Sequence, residues 1–338
     1  MRLFLITEAP LDSVSGACAY HARLVDAWRA ITGDAEAIGL DAPVAEDFGS
    51  RIPEDACIVV EAAAFEKARP ALRGLTERGA VALVHHPTAL EPGAPAERRA
   101  ARKALESSVL PRFRCIVTAS EPIALRLKTE FGVAEDRLRV VVPGTDPQPR
   151  RHIDGSRPFG APCTVLSLGT ISYRKGHDLL LRAVAGLPDI DWRLILAGDV
   201  RDRTYAAELD RLIDSLGIGA RVERPGPLHG NALEDAWRRA EVFALATRFE
   251  GFGMAIAEAM ARGLPVAVTD GGAAGSLIPA EAGVVAPVDD LAQFTKALRR
   301  LVFSPPLRAE MGAAGYAHAR HLPDWTDQAR AFADLFRK

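Results

Sequence analysis

At roughly 150 residues per domain, a chain of 338 residues is long enough for two cores and too long for one of ordinary size. Its composition, 48% hydrophobic and 25% charged, is that of a globular enzyme and excludes a disordered, collagenous or coiled-coil chain. A formal net charge of −2 excludes bulk nucleic-acid binding, which needs a large basic excess to neutralise phosphates.

The first predicted strand is LFLIT (3–7), followed by a loop that ends at Ser15-Gly16 and a helix over 16–31. No GxGxxG follows the strand, so this is not a dinucleotide fingerprint, yet a helix start after a strand can face phosphate at Gly16. Cys18 and His21 on that helix could face a cleft or the core, and the core is the favoured reading. Further strands follow at AEAIG (35–39), CIVVE (57–61), VALVH (81–85), CIVTA (115–119) and LRVVV (138–142). Each is nearly continuous in apolar residues, which predicts parallel strands buried on both faces. With helices between them the pattern is that of a doubly wound α/β domain.

The fourth strand ends in His85 and His86, a place where parallel sheets commonly meet polar ligands. Adjacent strand residues point to opposite faces, so the pair is a poor metal chelate; one histidine is active and one structural, and the spacing does not say which. The segment 97–114 then carries Arg98, Arg99, Arg102, Lys103, Arg112 and Arg114 against Glu97 and Glu106. Such a helix is either a solvated face or a peripheral contact for anionic lipid.

Residues 143–163 contain five prolines and read as a linker. The alternation then restarts with TVLSLG (164–169), WRLILAG (192–198), ARVERPG (220–226), EVFALAT (241–247), LPVAVTD (264–270) and AGVVAP (282–287). The expected organisation is two tandem Rossmann-like domains, 1–150 and 151–315, facing across a ligand-binding cleft. A terminal helix in 316–338 is expected to return towards the first domain.

Two turns in the second domain carry chemistry. In SLGTISYRKGHDLLLRA (167–183), Gly169 ends a strand, and Arg174 and Lys175 precede a helix; paired cations there can stabilise a departing pyrophosphate without a metal. In RFEGFGMAIAEAMARGLP (248–265), Gly251 and Gly253 admit close backbone approach, and the following helix offers its positive end to an anion. Glu250 and Glu258 would stand roughly 12 Å apart if the segment were helical throughout, too far for an acid/base dyad but suited to the two ends of one extended ligand.

EGFGMAIAE, with EAMARGLPVAV and DGGAAG after it, resembles the E-x7-E signature of retaining GT-B fold glycosyltransferases of family 4. Ala246-Thr247 stands where that family usually has Pro-Ser, and Thr170 stands where it commonly has Arg. The resemblance extends over nearly the whole chain and implies transfer of a hexose from a nucleotide diphosphate sugar to a sugar or lipid-linked acceptor. It implies that Glu250 faces the donor sugar and Glu258 the ribose diol. Backbone amides of Phe252, Gly253 and Met254 would meet the sugar and phosphate, and Arg174 and Lys175 the leaving group. A histidine after the fourth strand would contact sugar or acceptor, and Gly16 would lie beneath the donor phosphates or the acceptor. The donor would sit mainly on the second domain and the acceptor on the first, with no metal or other cofactor.

Four scattered cysteines lack zinc-ligand spacing, no apolar run approaches the ~20 residues that span a bilayer, and the first residues lack a leader's apolar region. A cytoplasmic chain is therefore expected. The rivals to the transferase reading are a phosphorylase or epimerase on the same fold, a nucleotide-sugar binder without turnover, and a nicotinamide oxidoreductase, against which the missing fingerprint counts.

Overall fold

The computed structural model describes residues 1–13, 15–150 and 162–337. Much of the predicted linker, 151–161, lies outside the described residues. The chain divides into two compact units, Met1–Gly144 with Pro323–Lys338, and Thr145–Leu322.

The first unit holds strands β1 (Leu3–Thr7), β2 (Ala35–Gly39), β3 (Cys57–Glu61), β4 (Val81–Val84), β5 (Cys115–Thr118) and β6 (Leu138–Val140). They form one sheet in the order β2-β1-β3-β4-β5-β6, with every neighbouring pair parallel. Helices α1 (Gly16–Thr32), α2 (Phe65–Ala68), α3 (Leu72–Glu77), α4 (Ala96–Val109) and α5 (Glu121–Phe131) make the crossovers. Ser15 starts α1 by accepting from the Cys18 amide at 3.0 Å, and Gly33 closes it in the left-handed conformation. Between these caps Cys18, His21, Leu24, Val25 and Trp28 form the buried stripe expected of a helix lying on a sheet.

The second unit holds β7 (Cys163–Leu168), β8 (Trp192–Ala197), β9 (Val222–Gly226), β10 (Val242–Leu245), β11 (Val266–Thr269) and β12 (Gly283–Ala286). Their order is β12-β11-β10-β7-β8-β9, again parallel throughout. Helices α6 (His177–Ala185), α7 (Arg203–Leu216), α8 (Gly230–Arg239), α9 (Met254–Ala261), α10 (Leu291–Phe303) and α11 (Pro305–Ala319) cover it. Its core joins Leu180 and Val184 of α6, Trp192 and Leu194 of β8, and Phe294 and Leu298 of α10. The last helix, α12 (Trp325–Asp334), belongs to the first unit and packs along α1. Its Trp325 meets the Tyr20 ring at 5.5 Å, and a Cβ on Gly144 would stand 2.6 Å from the same tryptophan.

All twelve predicted strands form among the described residues. One expectation is corrected. Burial on both faces, expected of the first six strands, holds for β1, β3, β4 and β5, but the edge strands β2 and β6 are partly exposed, because each has a neighbour on one side only; β9 and β12, at the edges of the second sheet, are partly exposed as well.

Candidate active site

In each sheet the chain reverses its direction of growth at one point: between β1 and β3 in the first, between β7 and β10 in the second. Ligands of doubly wound sheets bind outside the strand ends at such a reversal. In the second unit the loops leaving β7 and β10 are the two that carry Arg174-Lys175 and Glu250.

These loops are built against each other. The Arg248 amide donates to the Arg174 carbonyl at 2.7 Å. Gly176, at φ 65°, turns the chain into α6 so close to β10's loop that a Cβ there would lie 1.8 Å from the Ala246 carbonyl oxygen. Glu250 Oε1 then accepts from Lys175 Nζ at 2.5 Å, Thr247 Oγ1 at 3.0 Å and Arg174 Nη1 at 3.4 Å. The Glu250 backbone is pinned as well, its amide donating to Gly271 and its carbonyl accepting from Ala273. Burial by itself would raise the Glu250 pKa, but Lys175, Arg174 and the hydrogen bonds from Lys175 and Thr247 outweigh it and hold it at about 2. Burial lowers Lys175, against the pull of Glu250. The lysine stem lies over Gly169, whose missing side chain leaves the room: a Cβ there would meet Lys175 Cε at 3.1 Å.

A second layer holds both loops. Arg248, 8% exposed, donates bidentately to Asp178 at 2.8 and 2.9 Å, to Asp289 at 2.8 Å and to the Tyr173 carbonyl at 2.8 Å. Its guanidinium lies 3.9 Å from the Tyr173 ring centre, a cation–π distance. Tyr205 donates to the same Asp178 at 2.5 Å. Thr170, in place of the arginine common at that position, accepts from the buried His177 ring at 3.2 Å through its carbonyl.

Glu250 is not on a helix. The backbone turns at Gly253, φ 105°, and α9 starts only at Met254, so the spacing expected for one continuous helix does not apply. Glu258 lies in the second turn of α9 and is half-buried, while Gly251, Phe252 and Gly253 are buried in the turn before it. The first amides of α9 form the positive end of a helix that follows the β10 loop directly.

In the first unit, His85 follows β4 directly, and its Nε2 lies 3.0 Å from His21 Nε2. Glu61, the last residue of β3, places Oε1 at 3.7 Å from His21 Nε2 and 3.9 Å from His85 Nε2. Burial lowers both histidines to about 3, in His85 with His21 adding to the effect, so each ring is neutral at pH 7. His86 turns elsewhere, meeting Glu91 at 3.0 Å, which pairs in turn with Arg102 at 3.2 Å. Of the predicted residues the fold therefore joins Glu250, Lys175 and Arg174 directly and sends His85 and His86 to different partners. Gly16, at the start of α1, is exposed, and a Cβ there would meet nothing within 4 Å among the described residues. Glu61, Asp178 and Arg248 carry no signal in the sequence beyond their charge. His21, read there as core, is indeed 1% exposed but also belongs to a polar cluster.

Two doubly wound parallel sheets, the second with a cation–carboxylate cluster and a helix start at its strand reversal, define the GT-B class of glycosyltransferase folds. The profile of the family "Glycosyl transferases group 1" matches residues 151–318, and the chain belongs to this family, family 4 of the glycosyltransferases. Over 255 residues it is 28% identical to the D-inositol 3-phosphate glycosyltransferase of Corynebacterium diphtheriae, covering 71% of this chain and 60% of that protein. The chain thus spans under two-thirds of the length of such relatives. Its fold matches sucrose-phosphate synthase from Thermosynechococcus elongatus with a TM-score of 0.82 at 20% identity, covering 100% and 98% of the two chains. It also matches Anabaena HepE in complex with UDP-glucose, with a TM-score of 0.76 at 16% identity and 99% coverage of both.

Proposed function

We propose that this chain is a retaining hexosyltransferase that moves a mannose- or glucose-type sugar from a nucleotide diphosphate sugar to a hydroxyl of a sugar or lipid-linked acceptor. The observation that carries this reading is the cluster of Arg174, Lys175 and Glu250 at the strand reversal of the second unit. The donor diphosphate lies against Arg174 and Lys175 and the start of α9, where the amides of Phe252, Gly253 and Met254 meet it. Glu258 accepts from the ribose diol, a carboxylate being the natural bidentate acceptor for two adjacent hydroxyls. Glu250 orients the hexose.

As the bond from the anomeric carbon to the phosphate oxygen breaks, negative charge grows on the diphosphate, and the two cations stabilise it. The acceptor hydroxyl attacks from the face the phosphate leaves, and its proton passes to the departing phosphate oxygen. The new bond therefore keeps the anomeric configuration. In this reading the cations do the work a divalent ion does elsewhere, and the transfer step needs no metal. Residues 151–315 act as the donor domain and 1–150 as the acceptor domain, where His85 or His86 positions the sugar or acceptor.

Four free, buried cysteines suit a reducing, cytoplasmic setting. Among the described residues no helix is long and apolar enough to cross a membrane. The exposed Arg98, Arg99, Lys103 and Arg112 of the 97–114 segment support a peripheral contact with an anionic membrane surface. Arg102 does not join them, since Glu91 and the Thr88 carbonyl hold it.

A thermal-shift series with UDP-glucose, GDP-mannose and ADP-glucose tests the donor site. One of them should raise Tm, since ligand at 100 times Kd adds about 2.7 kcal/mol. Absence of any shift at millimolar concentration overturns the reading.

A further inference from the structure

A cluster in the first unit shares no residue with the Arg174-Lys175-Glu250 site, though it includes His85, one of the two histidines proposed above to position sugar or acceptor: His21 in α1, Glu61 at the end of β3, and His85 just after β4. They lie 64 and 40 or fewer residues apart in sequence, and the order β1-β3-β4 in the sheet brings them together at its C-terminal edge. Their facing atoms, two Nε2 and one Oε1, are separated by 3.0, 3.7 and 3.9 Å. We propose that His21, Glu61 and His85 form a binding site for a divalent d-block cation, zinc foremost.

The argument is geometric. Separations of this size leave a point roughly 2.1 Å from all three atoms, the bond length of zinc to imidazole nitrogen and carboxylate oxygen. Hydrogen bonding accounts for only part of the arrangement: the two rings can share one proton, but Glu61 Oε1 is too far from either nitrogen to accept from it. A cation at the common point would engage all three atoms at once.

The ligands are also held in place. The Glu8 amide donates to Glu61 Oε2 at 2.9 Å, which leaves Oε1 turned towards the imidazoles. The Tyr20 ring meets His85 edge to face at 4.6 Å and 82°. His21 Nδ1 is buried and has no hydrogen-bond partner among the described residues, so the ring's polar contact runs through Nε2 alone. Two nitrogens and one carboxylate suit zinc and its neighbours rather than magnesium or calcium, which prefer oxygen donors. Three protein ligands leave a fourth position, and His85, 19% exposed, is the ligand most open to water or to an oxygen of a small molecule.

The test uses no nucleotide, so failure of the metal site is distinguishable from failure of the donor reading. The full chain, stripped with a chelator, is titrated with cobalt(II) chloride and followed by visible absorption, then challenged with zinc. The proposal expects one equivalent of cobalt, the strong visible bands of a four-coordinate ion, and their loss on adding zinc. Glu61→Gln and His21→Gln should each weaken cobalt binding at least roughly tenfold. Glu61→Gln keeps an acceptor for the Glu8 amide and decides the matter should His21→Gln fail to fold. Absence of the bands at one equivalent, or a cobalt affinity unchanged in Glu61→Gln, overturns the site.

Discussion

Lys175 Nζ lies 2.5 Å from Glu250 Oε1, with the two side chains 12% and 8% exposed. The cation proposed to receive the donor's diphosphate is thus neutralised by the carboxylate proposed to orient the donor's sugar. The pair couples the two jobs: a diphosphate that draws on Lys175 competes with Glu250 for it.

Glu250→Gln leaves two half-buried cations without their carboxylate. Breaking such a pair costs about 3–5 kcal/mol, which urea unfolding of the free protein should report. A nucleoside diphosphate restores negative charge, so calorimetry should find its affinity held or increased in the variant. Turnover should fall by about 10²-fold or more. A variant that loses nucleotide affinity and keeps its stability would contradict this account of the pair.

The same residue sets a pH dependence. Its folded pKa of about 2 lies below the ordinary carboxylate value, so the stabilisation it contributes is complete above about pH 4.5 and is lost as pH falls towards 2. The stability gap between the wild type and Glu250→Gln should therefore narrow on acidification from pH 5 to pH 3. Urea midpoints at a series of pH values measure it; a gap that widens in acid would reverse the sign.

Glu258→Ala should weaken nucleotide binding by about 1.5–3 kcal/mol, roughly 10- to 150-fold in Kd, the range for a hydrogen bond to a charged group. Titration calorimetry with the nucleotide that gives the thermal shift reads it directly, and unchanged affinity removes the ribose role from this residue.

Gly176 and Gly217 share nearly the same left-handed backbone, φ 65° and 67°, but only Gly176 lacks space for a side chain. Gly217→Ala should cost about 1–2 kcal/mol, the price of the conformation alone. Gly176→Ala adds a collision with the Ala246 carbonyl, and must push the Arg174-Lys175 loop off the loop that carries Glu250. Its loss of stability should exceed that of Gly217→Ala by several kcal/mol in denaturant unfolding; equal losses would mean the two loops are not in close contact.

The fold was legible because buried parallel strands must be apolar on both faces, so CIVVE, VALVH and VFAL stand out from helices of mixed composition. The edge strands were legible by rhythm more than by composition: VERPG is partly exposed, and its period follows from the strands before it. The second-unit site was legible because Glu250 sits in one short Gly-bracketed motif and Lys175 in another. The cluster of His21, Glu61 and His85 was not. Each sits on a different element, and only the sheet order brings β1, β3 and β4 side by side. Arg248 and Asp178 pose the same difficulty, being 70 positions apart and joined where the start of α6 meets the loop after β10.

Following a labelled nucleotide sugar through one complete reaction tests the central claim most directly. The chain is incubated with the donor that raises its Tm and with simple sugar acceptors, and the products are resolved by proton NMR. The account predicts nucleoside diphosphate and glycosylated product in equal amounts, with the donor's anomeric configuration kept. An inverted product, or a donor that stays bound and unconsumed with every acceptor, would contradict it.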